Sequence, residues 1–543
     1  MHGSSRPLPR SSELALPRRP LRLIIAAALA VGIAALVALL LYAIAAAAAL
    51  ETGGRRSALD LPHLLGMTAT QAGLTTILSL SVGMALAWAL NRLRFPGRDL
   101  VVGLFASAIV TPGLVVAFGL LAVWGRSGWI SDIWRLVFGE PLTIPIFGLG
   151  GILAAHVILN GAFAARVLLT RLDAIPGARL KTGQSLALTA WQRFVIIDWP
   201  AMRGALTGLA AIIFLLAFTS FPIVLLLGGG PANQTLEVAI YTAARLDFDL
   251  HAAVKLALVQ IAACSVIVLA AVALSPAAPS LGPSRGLAWS DRAPARALQW
   301  TVLVACFLGF ALPLAAVLAD GLGSAMAGVL ARPSFWGGVV TSLLVATASA
   351  ALTLVLAFAV TLGRASTSAH ALRIGIGAPS YAYLAVPAVV LALGFFLLVR
   401  SFGISPGAAA PPVLVLANSL LALPFAVATL GPPLDTIART RGKLIRSLGL
   451  SSWRQFVAVE WPLIAPEAGL VAALAFCFSL GDLGVIAFFG TQDFATLPLL
   501  LVRALGAYRT NDAAAIAAFM LLLTIAAFVF VPRLFARLAH ARA

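Results

Sequence analysis

Few residues in this chain could carry chemistry. Its six histidines show no metal-ligand spacing, and Cys264, Cys306 and Cys477 each sit in an apolar run, where a thiol acts as a small buried hydrophobe. Clustered His, Asp and Glu are missing, as is a G-x-x-x-x-G-K-[ST] loop to cradle nucleotide phosphates, so bond-making chemistry has no obvious seat. What remains is a set of polar side chains inside long apolar stretches, where such groups mark a solute route by default. His156 and Asn160 stand about one helical turn apart, Asn418 lies 262 residues beyond His156, and Asp482 lies 262 beyond Ser220. These five are the candidate route residues, and Asp482 alone among them offers a negative charge to a cation. The structural alternatives are hydrogen bonding between helices and, for Asp482, pairing with Arg503 or a backbone dipole.

The same spacing exposes a second constellation. Residues 172–200 read LDAIPGARLKTGQSLALTAWQRFVIIDWP and residues 434–462 read LDTIARTRGKLIRSLGLSSWRQFVAVEWP, with 13 identities at the 262-residue offset. Leu180, Leu188, Trp191 and Phe194 in the first copy, and Leu444, Leu448, Trp453 and Phe456 in the second, form an apolar face with basic residues around it, and with Lys181, Pro200, Lys443, Gly449 and Pro462 they are the candidate coupling-loop residues. Thr189-Ala190-Trp191-Gln192 has capping-box form, the second copy keeps the cap as Ser451, and Pro200 and Pro462 suit the first turn of a following helix. Two short surface helices per copy are expected. An interfacial helix resting in lipid headgroups is the bland alternative, but it leaves the retained side chains unexplained. A loop that docks on a partner is held to particular residues, whereas lipid-facing helices need only stay apolar.

The elements around these loops follow from composition. The 543 residues are 61% hydrophobic and 10% charged, with a mean hydropathy of +1.02. A soluble chain needs about 25% charged residues, so a cytosolic enzyme, a disordered chain and a disulfide scaffold are excluded. Twelve apolar runs are long enough to span a bilayer: 23–50, 64–90, 100–124, 142–170, 204–228, 251–276, 298–319, 336–363, 374–399, 412–431, 465–490 and 513–536. The 28-residue first run is too long for a signal-peptide core and reads as an uncleaved anchor. Starting inside, alternate crossings place Lys and Arg on the cytoplasmic side by roughly three to one, predicting cytoplasmic N- and C-termini and accounting for the +18 charge without a nucleic-acid partner. The expected organisation is an all-α polytopic membrane protein with a tail at 1–22, a six-span repeat at 23–276, a Pro/Ser/Gly-rich linker at 277–297 and a second six-span repeat at 298–543. An even number of spans per repeat makes the repeats parallel.

The duplicated loop resembles the coupling loop of ATP-binding-cassette importer permeases, whose pattern is Glu-Ala-Ala, three residues, Gly, nine residues, then Ile-x-Leu-Pro. Gly449 matches the glycine, Ala187 stands in its place in the first copy, and the tails match as Ile197-Asp198-Trp199-Pro200 and Val459-Glu460-Trp461-Pro462. Glu-Ala-Ala is replaced by Lys181-Thr182-Gly183 and Lys443-Leu444-Ile445, which removes the glutamate that contacts the ATPase. Fused halves narrow the resemblance to the ferric-iron and thiamine branches. The outward stretches Leu227-Gly228-Gly229-Gly230-Pro231, Thr235–Tyr241 and Asp247–Leu250 are most similar to the thiamine/thiamine pyrophosphate branch. The resemblance implies the type I importer fold, a separate ATPase in two copies that uses the ATP, a periplasmic binding protein, surrounding lipid, a bacterial inner-membrane location and no cofactor or metal bound by this chain. The rivals are a ferric-iron permease and an ion-coupled secondary transporter. The latter calls for inverted repeats and acidic relays, against parallel repeats and a lone Asp482.

Overall fold

The computed structural model describes residues 19–50, 60–140, 142, 144–274, 289 and 291–540, and among them helix is the only regular structure. In chain order the principal helices are α1 (Pro20–Leu50), α2 (Leu61–Arg92), α3 (Arg98–Ala106), α4 (Gly113–Trp124), α5 (Trp129–Phe138), α6 (Leu149–Asp173), α7 (Gly177–Ser185) and α8 (Ala190–Phe218). They continue as α9 (Leu250–Leu274), α10 (Ala293–Gly321), α11 (Pro333–Ala365), α12 (His370–Tyr381), α13 (Ala388–Ser401), α14 (Pro406–Ser447), α15 (Ser452–Leu480) and α16 (Thr510–His540). Among the described residues eleven helices are long and apolar enough to cross a membrane, or twelve when a sharply bent pair counts as one crossing. Most of the expected tail (residues 1–18) and most of the expected linker (277–288 and Ser290) lie outside the described residues.

Several expected spans are shaped differently, for reasons visible in their sequences. The runs at 100–124 and 374–399 are broken: α3 gives way to a 3₁₀ turn and restarts as α4 after Pro112, and α12 does the same before α13 starts after Pro387. A proline has no N–H to donate and drives the preceding residue out of the helical region, so a helix ends there and another begins. The second break bends the chain by 97°. The runs at 204–228 and 465–490 stop at Phe218 and Leu480, and their remainders form the short helices Pro222–Leu227 and Ile486–Phe489. The run at 412–431 is instead the middle of α14, which continues for 42 residues through five internal prolines. Neighbouring helices satisfy the backbone groups such prolines free.

Two compact units make up the chain. One comprises Met1–Glu51, Gly337–Thr496 and Leu523–Ala543, the other Thr52–Trp336 and Leu497–Leu522. In the first unit α1 packs on α12 and α13; in the second α10 packs on α4 and α2. The first span of each sequence repeat therefore belongs to the unit built mainly from the other repeat. The second unit is organised around α2 lying along α6, with Thr68, Gln71, Thr75 and Ser79 on one fully buried stripe of α2.

Candidate functional site

Both copies of the duplicated segment are built alike. In the first, α7 ends at Ser185, a tight turn follows, and α8 starts at a capping box: Thr189 Oγ1 accepts from Gln192 N at 3.3 Å while Gln192 Oε1 accepts from Thr189 N at 2.9 Å. In the second, Ser451 Oγ accepts from Arg454 N at 3.4 Å, and the return bond is absent because Arg454 replaces the glutamine. Only the first copy has a separate first helix. In the second that helix is the end of α14. Nor is the next helix separate in either copy: it runs into the span through a π-helical turn at Phe194–Asp198 or Phe456–Glu460. The expectation of two short helices per loop is corrected accordingly. Such a π turn re-aims the side chains that follow, and recurs at functional sites.

Trp191 is 71% exposed and Trp453 70%, each stacked on the phenylalanine three residues on, with ring centroids 5.8 Å apart for Trp191–Phe194 and 5.9 Å for Trp453–Phe456. Leu448 is exposed, Leu188, Phe194, Phe456, Pro200 and Pro462 are half-buried, and Lys181 and Lys443 are exposed beside them. Leu180 is buried; Leu186, the true counterpart of Leu448 at the repeat spacing, takes the exposed place. Comparing the two copies position by position would have found it. At the turn Ala187 has φ 49° and Gly449 φ 58°, so the glycine of the family pattern is there for its left-handed backbone, and Ala187 adopts that conformation with a side chain present.

Beneath each exposed face lies a buried ionic base that sequence reasoning overlooked. Asp198 and Glu460 occupy matching positions in the two tails, and both are fully enclosed. Glu460 receives Arg22 from α1 in a bidentate pair, Nη1 to Oε1 at 2.8 Å and Nη2 to Oε2 at 3.0 Å, and Gln455 Nε2 donates to it at 2.7 Å. Arg22 also donates to Ser452 Oγ at 2.8 Å and Ser452 O at 2.7 Å, and Arg19 donates to Leu450 O. Asp198 is bonded by Arg92 from the end of α2. Asp291, just before α10, stands 3.7 Å from both Arg92 Nε and Arg193 Nη1, so two cations and two carboxylates close a buried neutral cluster. Trp289 lies under Arg193, whose guanidinium carbon is 4.0 Å from the ring centre, and its carbonyl accepts from Arg193 Nη1 at 2.9 Å. The rim of that ring fills the space above Gly183, where a Cβ would lie 2.9 Å from it; at the matching position of the second copy a buried Ile445 provides its own bulk. The signal for these groups was the Asp198/Glu460 match, already quoted in the tail motif.

The candidate route residues divide between the two compact units, His156, Asn160 and Ser220 in one and Asn418 and Asp482 in the other. His156 is buried and hydrogen-bonded through Nδ1 to Gln71 Nε2 at 3.0 Å, with Asn160 one turn further along α6. Asn418 donates to Ser479 Oγ at 2.9 Å, and that hydroxyl reaches Ser349 Oγ at 3.3 Å. Ser220 sits in the break after α8. Asp482 accepts from Gly484 N at 3.1 Å and Val485 N at 3.2 Å, closing the turn that follows α15.

A multi-span helical chain carrying two such loops, each opening a span with a stacked Trp–Phe pair turned outward, is a multi-pass inner-membrane permease of the ATP-binding-cassette importer class. The chain is 37% identical over 481 residues to the thiamine transport system permease protein ThiP of Salmonella typhimurium, a match covering 87% of this chain and 89% of that one. The ThiP of Haemophilus influenzae is 35% identical over 477 residues, 87% of this chain and 88% of its own length. The chain belongs to this family of thiamine transport permeases. A more distant similarity, 29% over 174 residues and 32% of this chain, reaches the molybdenum transport system permease protein ModB of Azotobacter vinelandii. No family profile matches the chain.

Proposed function

We propose that this chain is the membrane permease of a thiamine importer, taking thiamine or its phosphates from a periplasmic binding protein and passing them inward on the energy of a separate ATPase. Two ATPase copies dock on the faces centred on Trp191 and Trp453; ATP is bound and hydrolysed there, and this chain holds no cofactor of its own. The loops lie in the cytoplasm with both termini, the spans lie in lipid, and nucleic acid has no part. The observation that carries the reading is the pair of outward-turned Trp–Phe stacks at matching positions, in a chain whose relatives are named thiamine permeases. ATP-driven closure of the ATPases moves both loops and the spans they open into, so that access alternates across the membrane.

For the route itself the candidates remain His156, Asn160, Ser220, Asn418 and Asp482, of which Asp482 supplies the charge a thiazolium cation would meet. Asp482→Asn separates its two roles, because the amide oxygen still accepts the bonds from Gly484 and Val485. A raised KM for uptake with an unchanged unfolding midpoint is expected; an unchanged KM leaves the side chain as a turn cap. The function is tested by uptake of labelled thiamine into proteoliposomes holding the permease and its ATPase, with the binding protein outside. Uptake that needs ATP and the binding protein, and that excess unlabelled thiamine but not ferric iron abolishes, is the expected result. Uptake indifferent to the ATPase and driven by an ion gradient contradicts it.

A further inference from the structure

Each loop is gripped from below by the segment that opens the first span of the other repeat. In one unit Arg22, on the first turn of α1, makes four hydrogen bonds to the second loop, two to Glu460 and two to Ser452, and Arg19 adds a fifth at Leu450. In the other, Trp289 and Asp291 reach from the start of α10 to Arg193, Arg92 and the space over Gly183 in and under the first loop. The chemistry differs, an arginine onto a carboxylate in one unit and a carboxylate with an indole onto arginines in the other, yet the place is the same. An anchoring need alone would be met by the apolar packing already present: Leu434, Ile437, Ile445 and Ile464 form a buried cluster against which Phe456 and Val459 pack. A buried ionic cluster adds little net stability over such packing, while it fixes one geometry and resists sliding.

We propose that these two segments are latches that make each coupling loop and the first span of the opposite repeat move as one body, with Arg22 and Asp291 as positioning residues for transmission. The proposal rests on the docking of the ATPase at the loops. Through the latches, a push on either loop is delivered to both repeats, in addition to the span the loop opens directly.

The test uses the complete transporter in proteoliposomes, with labelled thiamine as the probe and three readouts: ATPase co-purification, thiamine taken up per ATP hydrolysed, and thermal midpoint. Arg22→Gln and Asp291→Asn are expected to retain the ATPase and to lower uptake per ATP by about twofold to thirtyfold, the range over which side chains along a coupling network act. Because removing one partner strands a buried charge, the paired Arg22→Met/Glu460→Met variant, with Gln455→Leu to remove the amide that Glu460 accepts from, is the decisive one: no charge is left buried and unpaired, and the same drop is expected. Full uptake per ATP in a stably folded paired variant overturns the latch. Trp191→Ala with Trp453→Ala distinguishes the two readings. Loss of the ATPase there, with latch variants fully coupled, refutes the latch alone, whereas an ATPase that stays bound refutes the docking on which it rests.

Discussion

Ala187 and Gly449 show how the two copies of one loop solve the same backbone problem with different residues. Both turn through the left-handed region, which costs a side-chain-bearing residue about 1 kcal/mol relative to glycine. Ala187→Gly is therefore expected to raise stability by about 0.5–1 kcal/mol and Gly449→Ala to lower it by a similar amount, read as opposite shifts of the unfolding midpoint in detergent. At this scale the sequence was legible wherever the copies could be compared. Trp191, Trp453, Phe194 and Phe456 are where the repeat put them, and the glycine position of the pattern falls on the residue with left-handed φ in each copy. Leu180 belongs to the apolar pattern but falls opposite Gly442 at the repeat spacing and is buried, whereas Leu186, opposite the exposed Leu448, is itself exposed. Arg22, Trp289 and Asp291 were not legible: each meets its partners across about a hundred residues or more, and neither hydropathy nor spacing encodes such a contact.

Among the elements, α8 depends on its start. Thr189 and Gln192 satisfy one another's backbone N–H groups, and a lost N-cap costs about 1 kcal/mol. Thr189→Ala is expected to speed hydrogen exchange at the amides of Gln192 and Arg193 about fivefold while leaving those of α6 unchanged, as local opening at the helix start requires. In α15 the cap is one-sided, so Arg454→Gln is expected to slow exchange at the Ser451 amide by restoring the return bond. The capping box at Thr189 and the single cap at Ser451 were readable because a cap is a local event spelled by four consecutive residues. The breaks at Pro112 and Pro387 are spelled by the prolines themselves, but hydropathy alone reads each stretch as continuous and carries no record of how far the backbone bends there.

For the whole molecule, the polytopic all-helical class and the permease family followed from composition, the repeat and the loop motif. The division into compact units did not, because α1 and α10 lie next in sequence to one repeat and pack with the other. On the function proposed above, the two outward-turned Trp–Phe stacks are where the ATPase takes hold. This docking is tested most directly by co-purifying the ATPase with the Trp191→Ala/Trp453→Ala variant and measuring ATP-driven thiamine uptake in the same preparation. Exposed aromatic anchors are worth about 2 kcal/mol or more each at an interface, so association is expected to weaken by about 30-fold or more and uptake to fall with it while the permease stays folded. Wild-type association and wild-type uptake in that variant would contradict the account.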